Sequence, residues 1–329
     1  MDALTFLDRQ AVARLLPRAT CFKLARRAFE ETSLRRGQQP NRVIVPIPKP
    51  EGAVLSVMAG VMHHPIRYGA KISAVYPENR RRGLPGHNGI VVVFDPSTGH
   101  PIAVLHGGEL TARRTAAATA VATRALARAN SRVLALMGAG EQARHHLEAL
   151  LDCLSIEEVR VWSRTPARSS SFMKAYEGIG VELTVHERIE SLVAGADIIC
   201  TLTSAPDPIL FGRMLEPGQH LNAVGSSVKE FREIDEEAVR RSRIFADYLP
   251  MMEAEGGDYR AALNSGAIAR GHPIGEIGEV LLGRKPGRTA DTDITLFKSL
   301  GIIAEDLTAA YHALECASNE NAGARVSLE

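Results

Sequence analysis

The sequence predicts an α/β chain in two parts, a strand-rich α+β part and then a doubly wound one. Three observations predict it. From Ser131 onward, apolar runs of strand length alternate with helical stretches, the rhythm of a parallel sheet with helices on its faces. Before about residue 125, strand-like runs follow one another with turns rather than helices between them. At the joint, "RVLALMGAGEQARHHLEAL" (Arg132–Leu150) sets two glycines one residue apart between an apolar run and a helix.

The first part opens on a polar helix pattern, Asp8–Arg36. Strand-like runs follow at Arg42–Ile47, Ala53–Ala59, Arg67–Val75, Gly89–Asp95 and Pro101–His106, rich in Val and Ile and punctuated by Pro, Gly and Asn. "DPSTGHP" (Asp95–Pro101) predicts a hairpin-like connection. Glu109–Ala129 is rich in Ala and Arg and lacks Gly and Pro, which predicts a helix.

In the second part, strand Arg132–Gly138 leads to a helix beginning near Glu141. Strand Glu158–Trp162 leads to a helix over Ala167–Glu177, and strand Val181–Val185 to the helical Arg188–Ala196. Strands Asp197–Thr203, His220–Gly225 and Arg243–Asp247 follow. "ITLFK" (Ile294–Lys298) is strand-like but out of rhythm. The last helix pattern, Ser299–Ala317, is expected to return to the first part. The expected domains are therefore 1–125 joined by about 300–329, and 126–299.

Composition narrows the class. The chain has 329 residues, 45% hydrophobic and 23% charged, enough for two cores. Its net charge of +1 provides no field that would draw nucleic acid or an anionic membrane. The apolar runs are too short to span a bilayer. Cys21, Cys153, Cys200 and Cys316 show no ligand spacing and fit a reducing cytoplasm. The opening "MDALTFLDRQ" lacks the basic-then-apolar pattern of a signal peptide. His63 and His64 are adjacent on a strand-like run, so they point to opposite faces and form no chelate by themselves. No metal is expected.

The glycine loop predicts a dinucleotide cradle. Such a cradle needs a buried strand before the glycines, a helix after them, and a ribose-reading residue at the end of the next strand. Here Gly138, Ala139 and Gly140 form the turn, Glu141 and Gln142 open the helix, and Ala143 is the small third position. Backbone approaches the pyrophosphate at Gly140, and the helix N-terminus supplies N–H groups and positive dipole. This is the fingerprint of a Rossmann domain. The next strand ends in Ser163, Arg164 and Thr165 with no acid. A carboxylate there would accept from a ribose 2′-OH, whereas Arg and hydroxyls suit a 2′-phosphate. NADP(H) is therefore favoured, with NAD(H) the other option.

Three basic residues stand out in the first part: Arg42 opens a strand, Lys71 lies inside the apolar "GAKISAV", and Arg114 lies in "LTARRTAAATA". Singly, each reads as well as a snorkelling surface residue. Together they suit a substrate carboxylate.

Several stretches make the chain resemble the ornithine cyclodeaminase/mu-crystallin family. They are Gly69–Ala122, with "GAKISAVYPENRRRGLPGHNGIVVVFDPSTG" and "ELTARRTAAATAVA", then "MGAGEQARHHLEAL", "HLNAVGSSVKEFREID" (His220–Asp235) and "IGEVLLGRKPGRTADTDITLFKSLG" (Ile277–Gly301). The resemblance implies an NAD- or NADP-binding Rossmann domain. It also implies an α+β substrate-binding and dimerisation domain whose strands build a homodimer, and a small amino- or imino-acid substrate. It sets Arg42, Lys71 and Arg114 at carboxylate-binding positions. It implies cofactor contacts at Thr203, Val224 and Ser226, with Phe297 and Leu300 on the nicotinamide side.

Two departures from the cyclodeaminases matter. Ser227 stands where those enzymes carry a catalytic Asp, and Ser56 stands near the counterpart of a substrate-binding Glu. Serine cannot serve as a carboxylate base near neutral pH. The resemblance therefore implies reduction of a cyclic ketimine, such as a pyrroline- or piperideine-2-carboxylate, with Lys71 and a water on Ser227 as candidate proton sources. Cyclodeamination with a recruited acid such as Glu230 or Glu233, an amino-acid or opine-type dehydrogenase, and an NADP-dependent ligand-binding protein stay as alternatives.

Overall fold

The computed structural model describes residues 3–327. The chain divides into two compact units. One runs up to Arg114 and resumes at Ile302, and the other is Thr115–Gly301. In chain order the elements begin with β1 (Leu4–Leu7), α1 (Arg9–Leu15), α2 (Arg18–Ser33), β2 (Gly37–Gln38) and β3 (Val43–Pro46). Next are β4 (Val54–His63), β5 (Ile66–Val75), a 3-10 turn over Pro77–Arg82, β6 (His87–Phe94), β7 (Pro101–His106) and α3 (Gly107–Leu126). The second unit continues with β8 (Val133–Met137), α4 (Glu141–Leu151), β9 (Glu158–Trp162), α5 (Pro166–Ala175), β10 (Glu182–Val185), α6 (Ile189–Val193), β11 (Ile198–Thr201) and β12 (His220–Ala223). It ends with α7 (Glu236–Arg241), β13 (Ser242–Ala246), α8 (Leu249–Glu255), α9 (Gly257–Asn264), β14 (Gly275–Glu276), α10 (Ile277–Leu281) and β15 (Ile294–Lys298). Helix α11 (Ile303–Glu320) and β16 (Ala324–Val326) close the first unit.

The first unit is built on a sheet ordered β16-β1-β7-β6-β5-β4-β2, with β3 also paired to β4. The long antiparallel pair β4–β5 runs in unbroken register from Val54↔Val75 to His63↔Ile66. Side chains alternate across it, so Lys71, Met58 and Val91 share one face while Ile72, Val57 and Ile90 share the other. Helix α11 lies on the Lys71 face. Two glycines make that possible: a Cβ on Gly60 would overlap the Ile303 side chain, and one on Gly69 would stand 3.1 Å from Leu307 Cδ2. Tyr311 pins the middle of the helix, donating from its hydroxyl to Phe94 O (2.5 Å) and accepting from Tyr68 N–H (3.2 Å). Ile303 and Leu307 are buried, and each buried side chain of that size contributes roughly 1.5–3 kcal/mol.

The second unit holds a sheet ordered β10-β9-β8-β11-β12-β15-β13-β14. Each of its pairings is parallel. Counted within the unit, the order starts 3-2-1-4-5, which reverses direction between β8 and β11 and is the doubly wound arrangement. The out-of-rhythm "ITLFK" is β15, inserted between β12 and β13. Asp197 anchors the start of the central strands by accepting from Arg132 N–H (2.7 Å), Val133 N–H (3.0 Å) and the Arg128 guanidinium.

Several boundaries differ from the sequence-based expectation. The Asp8–Arg36 helix is two helices, because Pro17 has no N–H to donate and disfavours helical backbone at Leu16. The last helix starts at Ile303 rather than Ser299. Gly301 has φ +79, and Asp247 accepts from the Leu300 and Gly301 N–H groups (2.6 and 2.7 Å). Helices α8, α9 and α10 have no counterpart in the sequence pattern. They are short, and their residues carry no long 3.6-residue apolar stripe. Among the described residues, no helix is long and apolar enough to cross a membrane.

Replacing Gly60 with Val should push α11 off the sheet. The expected cost is about 1–3 kcal/mol, an overpacking penalty, read as a lower midpoint in urea denaturation at an unchanged slope.

Candidate functional site

In the first unit, Lys71 is the only Lys on β5, and its side chain points under α11, where it is 3% exposed. A lone buried ammonium there would be costly, so it needs a partner. Asp306, 0% exposed on α11, is that partner: Lys71 Nζ donates to Asp306 Oδ2 at 2.9 Å and to Oδ1 at 3.1 Å. Arg114, also buried, donates from Nε to the same Oδ1 (3.2 Å) and from Nη1 to Glu305 Oε2 (2.6 Å). Arg42, half-buried ahead of β3, adds a third positive charge in electrostatic reach of Lys71. The structure thus brings Arg42, Lys71 and Arg114 together and sets two of them on a pair of adjacent helix carboxylates.

The electrostatics follow from this crowding. Burial, then the Arg114 charge, pull Lys71 down to about 8, while Asp306 pulls the other way. Asp306 stays below the usual carboxylate range. Burial alone would raise it, but the Arg114 and Lys71 charges outweigh that. His87, at the start of β6, sits on the same sheet face as Lys71, in register with Val75. His87 is exposed by its accessible surface. Desolvation, with the charges of Lys71, Arg114 and Arg42, lowers it to about 4. Ser56 shares this face as well, opposite Ser73 on β5.

Sequence reasoning missed Glu305, Asp306 and His87. The acid pair carried a signal: two carboxylates interrupt the otherwise apolar "SLGIIAEDLTAAY" helix, and buried acids need cations. His87 was findable only through the strand register, which the sequence does not specify.

In the second unit the glycine turn joins β8 to α4. Gly138 has φ +124, and its N–H donates to Trp162 O (2.7 Å); a Cβ there would stand 2.8 Å from Leu202 O. Gly140 is the N-cap of α4, has no capping side chain, and leaves open space where a Cβ would point. The first-turn amides of α4, beyond Ala139 and through Glu141 and Gln142, therefore face outward without a side-chain cap. Gln142 Oε1 is buried with no hydrogen-bond partner among the described residues. An uncapped helix start and a glycine gap fit a dinucleotide pyrophosphate.

Ser163, Arg164 and Thr165 follow β9. Ser163 Oγ donates to Thr165 O (2.7 Å) and lies 2.9 Å from Ser169 Oγ, so it shapes the turn, while Arg164 and Thr165 are exposed. Val224 and Ser226 are buried after β12, and Ser227 beside them is half-buried. Lys298 Nζ donates to Ser226 O (2.7 Å) and to Asp258 Oδ2 (2.5 Å), and Asp258 Oδ1 accepts from Glu233 N–H (2.9 Å). Glu233 is fully buried and accepts from Thr203 N–H (2.6 Å), Thr203 Oγ1 (2.6 Å) and Gly225 N–H (2.7 Å). This carboxylate is a brace for the Ser226–Ser227 loop, which removes it as a recruited acid. Glu230 is exposed beside Lys229. Thr203 bonds to Glu233, and Phe297 in β15 is buried. Leu300 is buried, with its N–H on Asp247.

A sequence model of the ornithine cyclodeaminase/mu-crystallin family matches residues 4–321. The chain belongs to that family. Among its curated members, mouse (Mus musculus) ketimine reductase mu-crystallin is 39% identical over 272 residues, 83% of each chain. A Δ1-pyrroline-2-carboxylate reductase of Bacillus cereus is 33% identical over 303 residues, 92% of this chain and 93% of that one. Among solved structures, Thermococcus litoralis Δ1-pyrroline-2-carboxylate reductase in complex with NADH and L-proline superposes with a TM-score of 0.95 at 32% identity. That match covers 98% of this chain and 100% of the other. The family's fold, a Rossmann domain with an α+β partner, is the fold of this chain.

His87 should titrate near pH 4, followed as the ring-proton shift in NMR, against about 6.5 for an ordinary imidazole. A depressed value means that the neutral ring's contribution to stability is complete above about pH 6.5 and is lost as pH falls through about 4.

Proposed function

We propose that the chain is a nicotinamide-dependent reductase of small α-imino acids, cyclic ketimines such as pyrroline- or piperideine-2-carboxylate foremost. The observation that carries this reading is the Arg42–Lys71–Arg114 cluster in a chain whose relatives are named for ketimine and pyrroline-2-carboxylate reduction. Three cations against the Glu305 and Asp306 carboxylates leave one net positive charge among these five groups, the complement of a monocarboxylate. Arg114 and Arg42 hold the substrate carboxylate, and Lys71 faces it as an ammonium below about pH 8. Holding the carboxylate fixes the imine carbon in place, which is the larger part of what a hydride transfer needs from a protein. A reduced nicotinamide supplies the hydride when bound. The C=N π pair then goes to nitrogen, and that nitrogen's proton comes from Lys71 Nζ or from water at Ser227, since neither Ser227 nor Ser56 is an acid.

The dinucleotide is held by Gly138–Gln142, Val224 and Ser226. NADP(H) is the proposed form, supported by Arg164 exposed at the end of β9 with no acid beside it. A second copy of the chain is the proposed cover for the sheet face away from α11. There Val43, Val57, Ile72 and Ile90 share one rung, and Val43, Ile72 and Ile90 are exposed. Contiguous exposed apolar surface of this kind marks an interface.

NADPH oxidation, screened over cyclic and linear imino acids with ornithine plus NAD⁺ as the contrasting well, should show turnover on the cyclic imines. NADPH should outperform NADH in kcat/KM. Lys71→Ala and Arg114→Ala should each lose about 100-fold or more in kcat/KM, as expected for truncating a buried charge pair, while NADPH fluorescence still reports binding. Activity retained in both variants, or ammonia released from ornithine instead, contradicts the assignment. In light scattering the chain should have twice its own mass, and Ile72→Glu with Ile90→Glu should halve it.

A further inference from the structure

Resting on the reading of Lys71 and Arg114 as the carboxylate clamp, we propose that Asp306 is a positioning residue that sets both cations for substrate. Its Oδ1 accepts from Lys71 Nζ and from Arg114 Nε, and its Oδ2 takes a second bond from Nζ. One carboxylate thus fixes the ammonium and the plane of the guanidinium at once, with Glu305 holding Nη1 of the same group. Asp306 is itself located by packing. Its neighbours on α11, Ile303 and Leu307, seat against Gly60 and Gly69, so the carboxyl cannot withdraw without moving the helix. Among the described residues the Asp306 carboxylate is bonded to Lys71 and Arg114, so a group this buried acts through them and touches no reacting atom.

The charged groups facing Lys71 are Asp306 on α11, Arg114 on α3, itself bonded to Glu305, and Arg42 ahead of β3, with His87 on β6 lowered to about 4. Burial and the two guanidiniums press Lys71 toward the neutral amine, and Asp306 opposes them. Removing the Asp306 charge should therefore discharge Lys71 at a lower pH and take away the carboxylate bond of Arg114 Nε, leaving Glu305 on Nη1.

The test follows the Lys71 Cε resonance by NMR in protein labelled with [13Cε]lysine, alongside the pH profile of kcat/KM for a cyclic ketimine. In the wild type the resonance should titrate at about pH 8, and kcat/KM should fall above that pH. In Asp306→Asn the midpoint should drop by about one unit or more, the size of effect of an opposite charge at contact, and the falling limb should move with it. A structural role alone lowers kcat/KM evenly at every pH and leaves the Lys71 midpoint in place, and that result overturns the proposal. Asp306→Glu keeps the charge but moves the carboxyl by one methylene. Lys71 should then titrate within about half a unit of wild type while KM rises about threefold or more, as a small misplacement demands. An unchanged KM in Asp306→Glu overturns the positioning role even where Asp306→Asn does not fold. If the wild type turns over no cyclic imine, the functional reading fails by itself, while the Lys71 titration still decides the link to Asp306.

Discussion

Lys71 and Asp306 are both almost wholly removed from water, and either charge alone would cost several kcal/mol in that place. The pair is tolerable only because α11 approaches the sheet closely enough for an ammonium to meet a carboxylate at 2.9 Å. That approach depends on the absence of side chains at Gly60 and Gly69. Helix packing, strand register and the electrostatics of the clamp are therefore one constraint. Strand register places Lys71 on the helix face; a slip of one residue would turn it to the opposite face and bring Ile72 under α11. The same geometry gathers Arg114 and Arg42 and sets His87 on the same sheet face.

The second unit shows the complementary design. Its buried polar groups mostly bond to one another: Glu233 to Thr203 and Gly225, Asp258 to Lys298 and Glu233, and Asp247 to Leu300 and Gly301. These bonds hold rigid the loops that follow β11, β12 and β15. The glycine turn contrasts with them. Gly140 caps α4 with no side chain, and Gln142 Oε1 is left without a partner among the described residues. An uncapped helix start of this kind suits an anionic ligand.

Much of this was legible in the sequence, and the reasons differ by element. The doubly wound unit was readable because each βα step carries its own periodicity, and the glycine turn is a local motif. Lys71 was conspicuous because a charge inside an apolar strand violates the alternation. Asp306 was marked as one of two acids in an otherwise apolar helix, but its partners Lys71 and Arg114 became visible only through packing. The burial of Phe297 was hidden for a related reason. Phe297 stands in a recognisable stretch, but β15 is enclosed by β12 and β13, a topology that no local pattern encodes. Ser227 was legible as a departure from the cyclodeaminases. That Glu233 is a brace instead of a spare acid was not, since it depends on Thr203 and Gly225 meeting it in space.

The central claim is hydride delivery to an imine carbon beside a clamped carboxylate. Its most direct test is product analysis after turnover of a cyclic ketimine with NADPH deuterated at the transferable position. The account predicts one deuterium at the carbon bearing the carboxylate in the cyclic amino acid formed, and in one stereochemical configuration. Product without deuterium at that carbon, or a racemic product, would contradict it.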